Sequence, residues 1–396
     1  MCGDGEIQGD EVCDDGNQVP DDGCDLCMSA PTVVWSRLFP GPGGLGDSAS
    51  DVVVDPAGQI YICGTQRDDD VDYDITLRKL DAEGALVWER IVDGPMPGFE
   101  IGADLELDPD GGVFMSARLA DGMDVSERWV RRYTADGDVV WTFSEAGPVP
   151  GDTAAARMKI DGDALYVVGG EAYDLGTRLT LHRFDRVSGV VVWAQTYTAM
   201  LPGNASGNSV VIDENGDLRV AGYQPTATGS EGLLQRWASD GTLVTTDTWQ
   251  PEDEAWSASI FAITPLPGGD VAGVVLVSNS DYTESVFRAL RFAADGTVVW
   301  DRVVADVPGI DRPGAIGLDE MGRLVMVGST VTFGGDAVLA VYGVDGDEIS
   351  TLVMDGGMVR YDDYRGFALH DGAVYVAGRQ EQIVGSLDQW VRKILL

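Results

Sequence analysis

Residues 32–39, TVVWSRLF, read as a β-strand that has lost its hairpin partner. Elsewhere such a strand closes a unit: in ITLRKLDAEGALVWER, residues 75–90, one strand runs into a tight Asp/Gly turn and a second strand closes at Trp88. At the far end of the chain, DQWVRKILL, residues 388–396, is the first half of such a pair with nothing after it. TVVWSRLF supplies the missing half, so the two ends of the chain are predicted to meet in one sheet and to hide two edges otherwise free to pair with other chains.

Working outward, two patterns alternate. The first is an apolar strand, an Asp/Gly turn and a strand ending in Gly, as in DVVVDPAGQIYICGT (51–65) and SVVIDENGDLRVAGY (209–223); the second is the Trp-closed hairpin. Asp and Gly build these turns because they tolerate positive φ at low cost. The closing Trp or its replacement falls at Trp35, Trp88, Trp141, Trp193, Thr245, Trp300 and Ser350, in steps of 53, 53, 52, 52, 55 and 50 residues. Four short strands per unit, a repeat of roughly 40–50 residues and one aromatic anchor define propeller blades. The expected fold is therefore all-β: a seven-bladed β-propeller over 31–396 with four-stranded blades, its last blade closed by the N-terminal strand and preceded by a small disulfide-rich module over 1–30. The Trp residues are expected between neighbouring blades, as core.

Composition narrows the function. The chain of 396 residues carries 66 Asp+Glu against 26 Lys+Arg, a formal charge of −40, which repels phosphate backbones and argues against nucleic acid as a partner. No apolar run approaches the roughly 20 residues of a transmembrane helix.

Four of the five cysteines, Cys2, Cys13, Cys24 and Cys27, lie within the first 27 residues. Even number and clustering predict two disulfides in an exported protein, with connectivity open. Cys63, inside a strand pattern, reads as a buried free thiol. The sequence shows no export signal, as expected of a mature or trimmed form.

The head, CGDGEIQGDEVCDDGNQVPDDGCDLC (2–27), resembles the short Cys-rich repeat of exported proteins of myxobacteria and their relatives, with its C-G-D-G, C-D-D-G-N and D-G-C elements at Cys2–Gly5, Cys13–Asn17 and Asp22–Cys24. It departs from that pattern by Asp10, inserted before Glu11, and by two residues instead of three between Cys24 and Cys27. The resemblance implies an exported, often surface-attached protein and names no ligand. FDRVSGVVVW (184–193), with one residue more between Asp185 and Gly189, is similar to the D-x-x-G-x-x-x-W turn of bacterial propellers, quinoprotein-type ones included, a likeness of blade construction alone.

Chemistry-bearing motifs are sparse. His182 and His370 are the only histidines, each within or beside a repeat strand, and read as structural. No nucleophile elbow, zincin helix, phosphate loop or dinucleotide fingerprint is present. Acids offer three candidates. In the head, Asp4, Asp14, Asp15, Asn17 and Asp22 present the oxygens that calcium favours, or cap turns and face water. In DDDVDYD (68–74), Asp68, Asp70, Asp72 and Asp74 alternate as calcium-loop acids do, but the glycine and closing Glu of an EF-hand are absent, which favours a solvated loop. Asp47, Glu100, Asp152, Asp311 and Asp362 each precede the first strand of a blade, where they form an interrupted ring on the channel face or, as favoured, accept backbone N–H bonds and fix blade docking.

These readings converge on an exported, non-catalytic binding or assembly protein, with a protein or glycan of the cell surface as partner and calcium as the one candidate cofactor. Two alternatives stay open: a propeller hydrolase or lyase acting on an extracellular polymer, and a filament subunit that self-assembles through its Cys-rich head. One test follows from the cysteines alone. Mass spectrometry of non-reduced, alkylated protein is expected to find two bridges and a single alkylated cysteine, Cys63, reached only after denaturation; four free thiols in protein from its native compartment would refute export.

Overall fold

The structure, a computed structural model, describes residues 24–25, 28–29, 31–41, 46–67, 72–93, 100–120, 126–252, 256–279, 283–304, 312–330, 336–354, 362–383 and 386–396. Seven antiparallel sheets follow one another along the chain, each with four strands in sequential order. The first sheet is Ser48–Val54, Ile60–Arg67, Tyr73–Leu80 and Leu86–Val92. The last is Asp362–His370, Ala373–Ile383, Ser386–Leu395 and, from the other end of the chain, Thr32–Phe39. As the sequence predicts, TVVWSRLF closes the ring: Thr32 pairs with Leu395 and Phe39 with Gln389. In the third blade the short segment Gly203–Asn204 adds a parallel pairing to the strand Gly176–Asp185.

The turns are built as their residues require. In the hairpin after Leu80 the Asp81 carbonyl accepts from Gly84 N–H at 3.0 Å, and its carboxylate accepts from Ala85 N–H at 2.7 Å. Gly84 stands at φ +81°, in the left-handed region that favours glycine.

Each sheet presents two faces, and neither has cover of its own. Seven clusters of buried apolar side chains fill the seven seams between consecutive blades, including the seam between the last and the first. Cys63 lies in the first of these, fully buried between blades one and two, where burial pushes its thiol well above the ordinary range and leaves it inert.

The Trp residues occupy the seams as expected. Trp35, Trp88, Trp141, Trp193 and Trp300 each pack from the outermost strand of one blade onto the cluster shared with the next. Three also donate across it: Trp88 Nε1 to the Ala135 carbonyl (3.1 Å), Trp141 Nε1 to Arg186 (3.0 Å) and Trp300 Nε1 to Val344 (2.9 Å). Each acceptor belongs to the outer turn of the following blade. An arginine two residues beyond Trp reaches the same turn: Arg37 Nε donates to the Gly84 carbonyl, Arg90 Nε to Gly137 and Arg302 Nε to Gly346, at 3.2, 2.9 and 3.0 Å.

At the axis, the seven first strands touch one another in a closed ring and wall a central channel. Every one of them carries a register shift at the same place, leaving Ser50, Ala103, Ala156, Asn208, Phe261, Gly314 and Arg365 without a partner in the ladder. Such a bulge bends its strand and re-aims its side chain.

Within the head, the described backbone is an antiparallel pairing of Cys24–Asp25 with Met28–Ser29. The sulfurs of Cys2, Cys13, Cys24 and Cys27 and the side chains of Asp4, Asp14, Asp15, Asn17 and Asp22 lie outside the described residues. Among the described residues no helix is long and apolar enough to cross a membrane.

Closure yields a direct test. Deleting residues 1–40 strips the outer strand from the last blade and uncovers its edge, so the truncated protein is expected to aggregate and to melt at lower temperature; light scattering and calorimetry that show an unchanged monomer would overturn the closure.

Candidate functional site

The channel face is built from the bulged first strands and the ends of the strands beside them. Ser50, Ala103, Phe261, Gly314 and Arg365, five of the bulged residues, line a cavity of about 520 Å³ together with Arg157 and Arg312. A second cavity of about 440 Å³ shares Ser50, Ile101 and Arg365 with it and adds Arg67, Tyr73 and Arg379. Five arginines therefore converge on one region of a chain whose net charge is −40.

Asp363 takes Arg379 at 2.9 Å and Arg365 at 3.2 Å. Burial, and then the neighbouring Arg365 and Arg312 guanidiniums, work against the charge on Arg379 and hold its pKa below the usual arginine value in spite of Asp363. Arg312 is exposed at the start of its strand. Arg157 pairs with Asp104 at 2.8 Å, beside Asp51. Burial pushes both of these carboxyls up, and the charge of Asp104 pushes Asp51 further.

Asp51 and Asp104 perform the docking task that the sequence reading gave to the acids before each blade. Asp51 Oδ2 accepts from Leu105 N–H at 3.0 Å, and Asp104 Oδ2 from Met158 N–H at 2.7 Å, each across a seam to the following blade. Ser209 Oγ repeats the bond to Ile263 N–H at 3.2 Å. The signal was present in sequence as an Asp at a fixed place in two first strands, but inside an apolar strand it reads as an outward-facing residue.

The proposed ring resolves differently at each member. Asp47 is fully buried and accepts from the backbone N–H of Arg67, in its own blade, at 2.9 Å. Asp152 is exposed and pairs with Arg118; Thr153, one residue on, is the buried residue immediately before the third blade. Asp311 lies outside the described residues, and of Asp362 the backbone alone is placed, as the first residue of its strand.

Glu100 is the exception. It is 1% exposed, and among the described residues neither carboxylate oxygen has a hydrogen-bond partner. Its backbone N–H donates to the Tyr73 carbonyl at 3.2 Å, which sets it beside Asp72 and Asp74. Oxygens of Asp72, Asp74 and Asp93 lie within 4.8 Å of one another, close enough to share one cation. Burial first, and then Asp72, push the Glu100 carboxyl up to about 7. Of the alternating acids of DDDVDYD, Asp68 and Asp70 lie outside the described residues, whereas Asp72 and Asp74 stay together and are joined by Asp93, which follows the fourth strand of the blade. DDDVDYD marks two members of that grouping, and no linear signal marks Asp93 as the third.

The two histidines lie apart from the channel face. His182 is buried between blades two and three, 3.1 Å from Arg128 Nη1 and 3.3 Å from Glu145, and burial lowers its pKa. His370 faces Asp371 at 3.6 Å.

A seven-bladed β-propeller with an arginine-lined channel face is thus the class of protein that fold and site define. No protein family and no curated protein matches the sequence. Among solved structures, the chain is similar to a protein of unknown function from Dyadobacter fermentans, at 13% identity and TM-score 0.58, covering 92% of this chain and 99% of that one. It is similar to the polysaccharide lyase Uly1 at 11% identity and TM-score 0.54, with coverage of 87% and 89%. The extracellular domain of a hybrid two component system from B. thetaiotaomicron gives 13% identity and TM-score 0.51 over 90% of this chain and 40% of that one. At these identities the likeness is one of fold.

Glu100 generates a pH test. The unfolded chain releases its proton near 4.5 and the folded chain near 7, so folding stability is lost as pH rises through that window. Glu100→Gln removes the titration. In metal-free buffer its melting temperature relative to the native protein is expected to rise between pH 5 and pH 8, as read by thermal melts at both; a constant difference would contradict the raised pKa.

Proposed function

We propose that the protein is an exported, non-catalytic binding scaffold whose channel face takes an anionic glycan bearing carboxylates. The observation that carries this reading is the local gathering of positive charge: Arg365 and Arg379 both pair with Asp363, and Arg312 stands near enough for its charge to act on Arg379, in a chain with a large acid excess. A guanidinium fork matches a carboxylate bidentately and remains charged in any physiological medium. The channel-face cavity lined by Arg157, Arg312 and Arg365, about 520 Å³, lies in the range of ligand-binding clefts.

Binding is favoured over turnover by what the nearby acids do. Asp51 and Asp104 are committed to backbone N–H groups of the next blade and to Arg157, and Asp363 is committed to two arginines. The likeness to a polysaccharide lyase supports a glycan as ligand class no further than a shared scaffold does. In this reading the Cys-rich module of residues 1–30 attaches the propeller over 31–396 at the cell surface, as its resemblance implies.

Calorimetric titration with oligouronates and with neutral oligosaccharides of equal length tests this. Uronate is expected to bind and neutral sugar not to, with affinity falling as salt rises. The double variant R312A/R365A is expected to weaken binding roughly tenfold or more, at about 1.4 kcal/mol per decade, with little change in melting temperature. Equal binding of charged and neutral sugars, or unsaturated uronate ends appearing on incubation, would overturn the proposal.

A further inference from the structure

We propose that Asp72, Asp74, Asp93 and Glu100 form a divalent-cation site of the calcium class that fastens blade one to blade two. Asp72 and Asp74 flank Tyr73 at the start of the third strand of blade one, Asp93 follows the end of its fourth strand, and Glu100 precedes the first strand of blade two. Three separate segments thus supply the carboxylates.

Two independent observations point to a ligand. The first is spacing: the oxygens of the three aspartates lie within 4.8 Å of one another, and opposed oxygens around a calcium ion, at about 2.4 Å each, stand about that far apart. The second is Glu100. A carboxylate that is 1% exposed and makes no hydrogen bond among the described residues is costly to bury, unless something else meets its charge. Its backbone is tied to Tyr73 at 3.2 Å, and the charges of Asp72, Asp74 and Asp93 all act on its carboxyl, so the side chain stands next to the three-aspartate group.

The donor set decides the class. Four carboxylates without His or Cys suit a hard cation, and calcium accepts the six to eight oxygens of a flexible, irregular site with water completing the shell. Asp93 is exposed, Asp72 half-buried and Asp74 buried, so the site opens to solvent on the Asp93 side and an ion can enter without unfolding the seam. Because blade two contributes Glu100, an ion held here crosslinks two blades and adds its binding free energy to the docking of that seam.

The test is calcium titration of the full chain, freed of metal by chelator, followed by calorimetry and thermal melting. Native protein is expected to gain melting temperature with calcium. Asp93→Asn alters an exposed residue and cannot disturb packing, and Glu100→Gln keeps the shape of a buried one. Each is expected to lose one bound calcium, or roughly tenfold or more in affinity for it, and most of the thermal gain. Acids of the head cannot account for that loss, since both substitutions lie far from it in sequence. Native protein that binds no calcium, or variants that bind the same number of ions with native affinity, would overturn the site.

Discussion

Every sheet in this ring is apolar on both faces and can bury neither by itself. The remaining features of the fold follow from that constraint. A sheet with two faces to cover needs two neighbours, a row of such sheets leaves two naked ends, and only a closed ring leaves none. Closure in turn requires that the first and last sheets be joined, which is why TVVWSRLF pairs with the C-terminal strand. Gln389 tightens the same junction, donating from the last blade to the Thr65 carbonyl in the first at 2.8 Å.

Apolar packing alone would leave the angle between blades soft, and directional contacts fix it at both radii. On the outside, Trp Nε1 and Arg Nε reach the turn of the next blade. Gly189, at φ +73°, lies so close beneath Trp141 that an added Cβ would stand 2.6 Å from the indole. Glycine is required there both by the turn and by its neighbour. On the inside, Asp51, Asp104 and Ser209 accept from backbone N–H groups of the next blade. Each bond contributes about 1 kcal/mol, and repetition around the ring makes the set decisive. Blade four, with Thr245 in place of Trp, shows how the constraint tolerates change. Trp249, four residues along the same strand and so on the same face, packs on the following seam instead.

This division explains what could be read from the sequence. Strand number, blade count, closure and the seam position of Trp are periodic, and periodicity survives in one dimension. The acids of the inner radius were harder, because Asp51 within DVVVD and Asp104 within ADLEL sit in strands whose alternation marks them as outward-facing. A bulge in each first strand shifts the alternation at that point. The arginine cluster left no linear trace at all. Arg67, Arg157, Arg312, Arg365 and Arg379 come from four blades, and two of them, Arg67 and Arg379, are neighbours only because the ring closes. A site assembled by closure is invisible to any reading that moves along the chain.

Charge placement then follows from the same geometry. Acids spread over the outer surface of a ring repel one another weakly through water, whereas groups at the axis are few, close and partly desolvated, so each counts for more. Arginines collected there face a potential that the rest of the molecule makes negative. A free anion approaching from bulk must cross that field, and a small one gains little by doing so. A polyanionic chain gains at several guanidiniums at once, since neighbouring cavities that share Ser50, Ile101 and Arg365 form one continuous basic surface. Under the proposed reading, the acidic exterior would act as a filter on what the basic axis holds, favouring an extended ligand with spaced charges over an isolated ion.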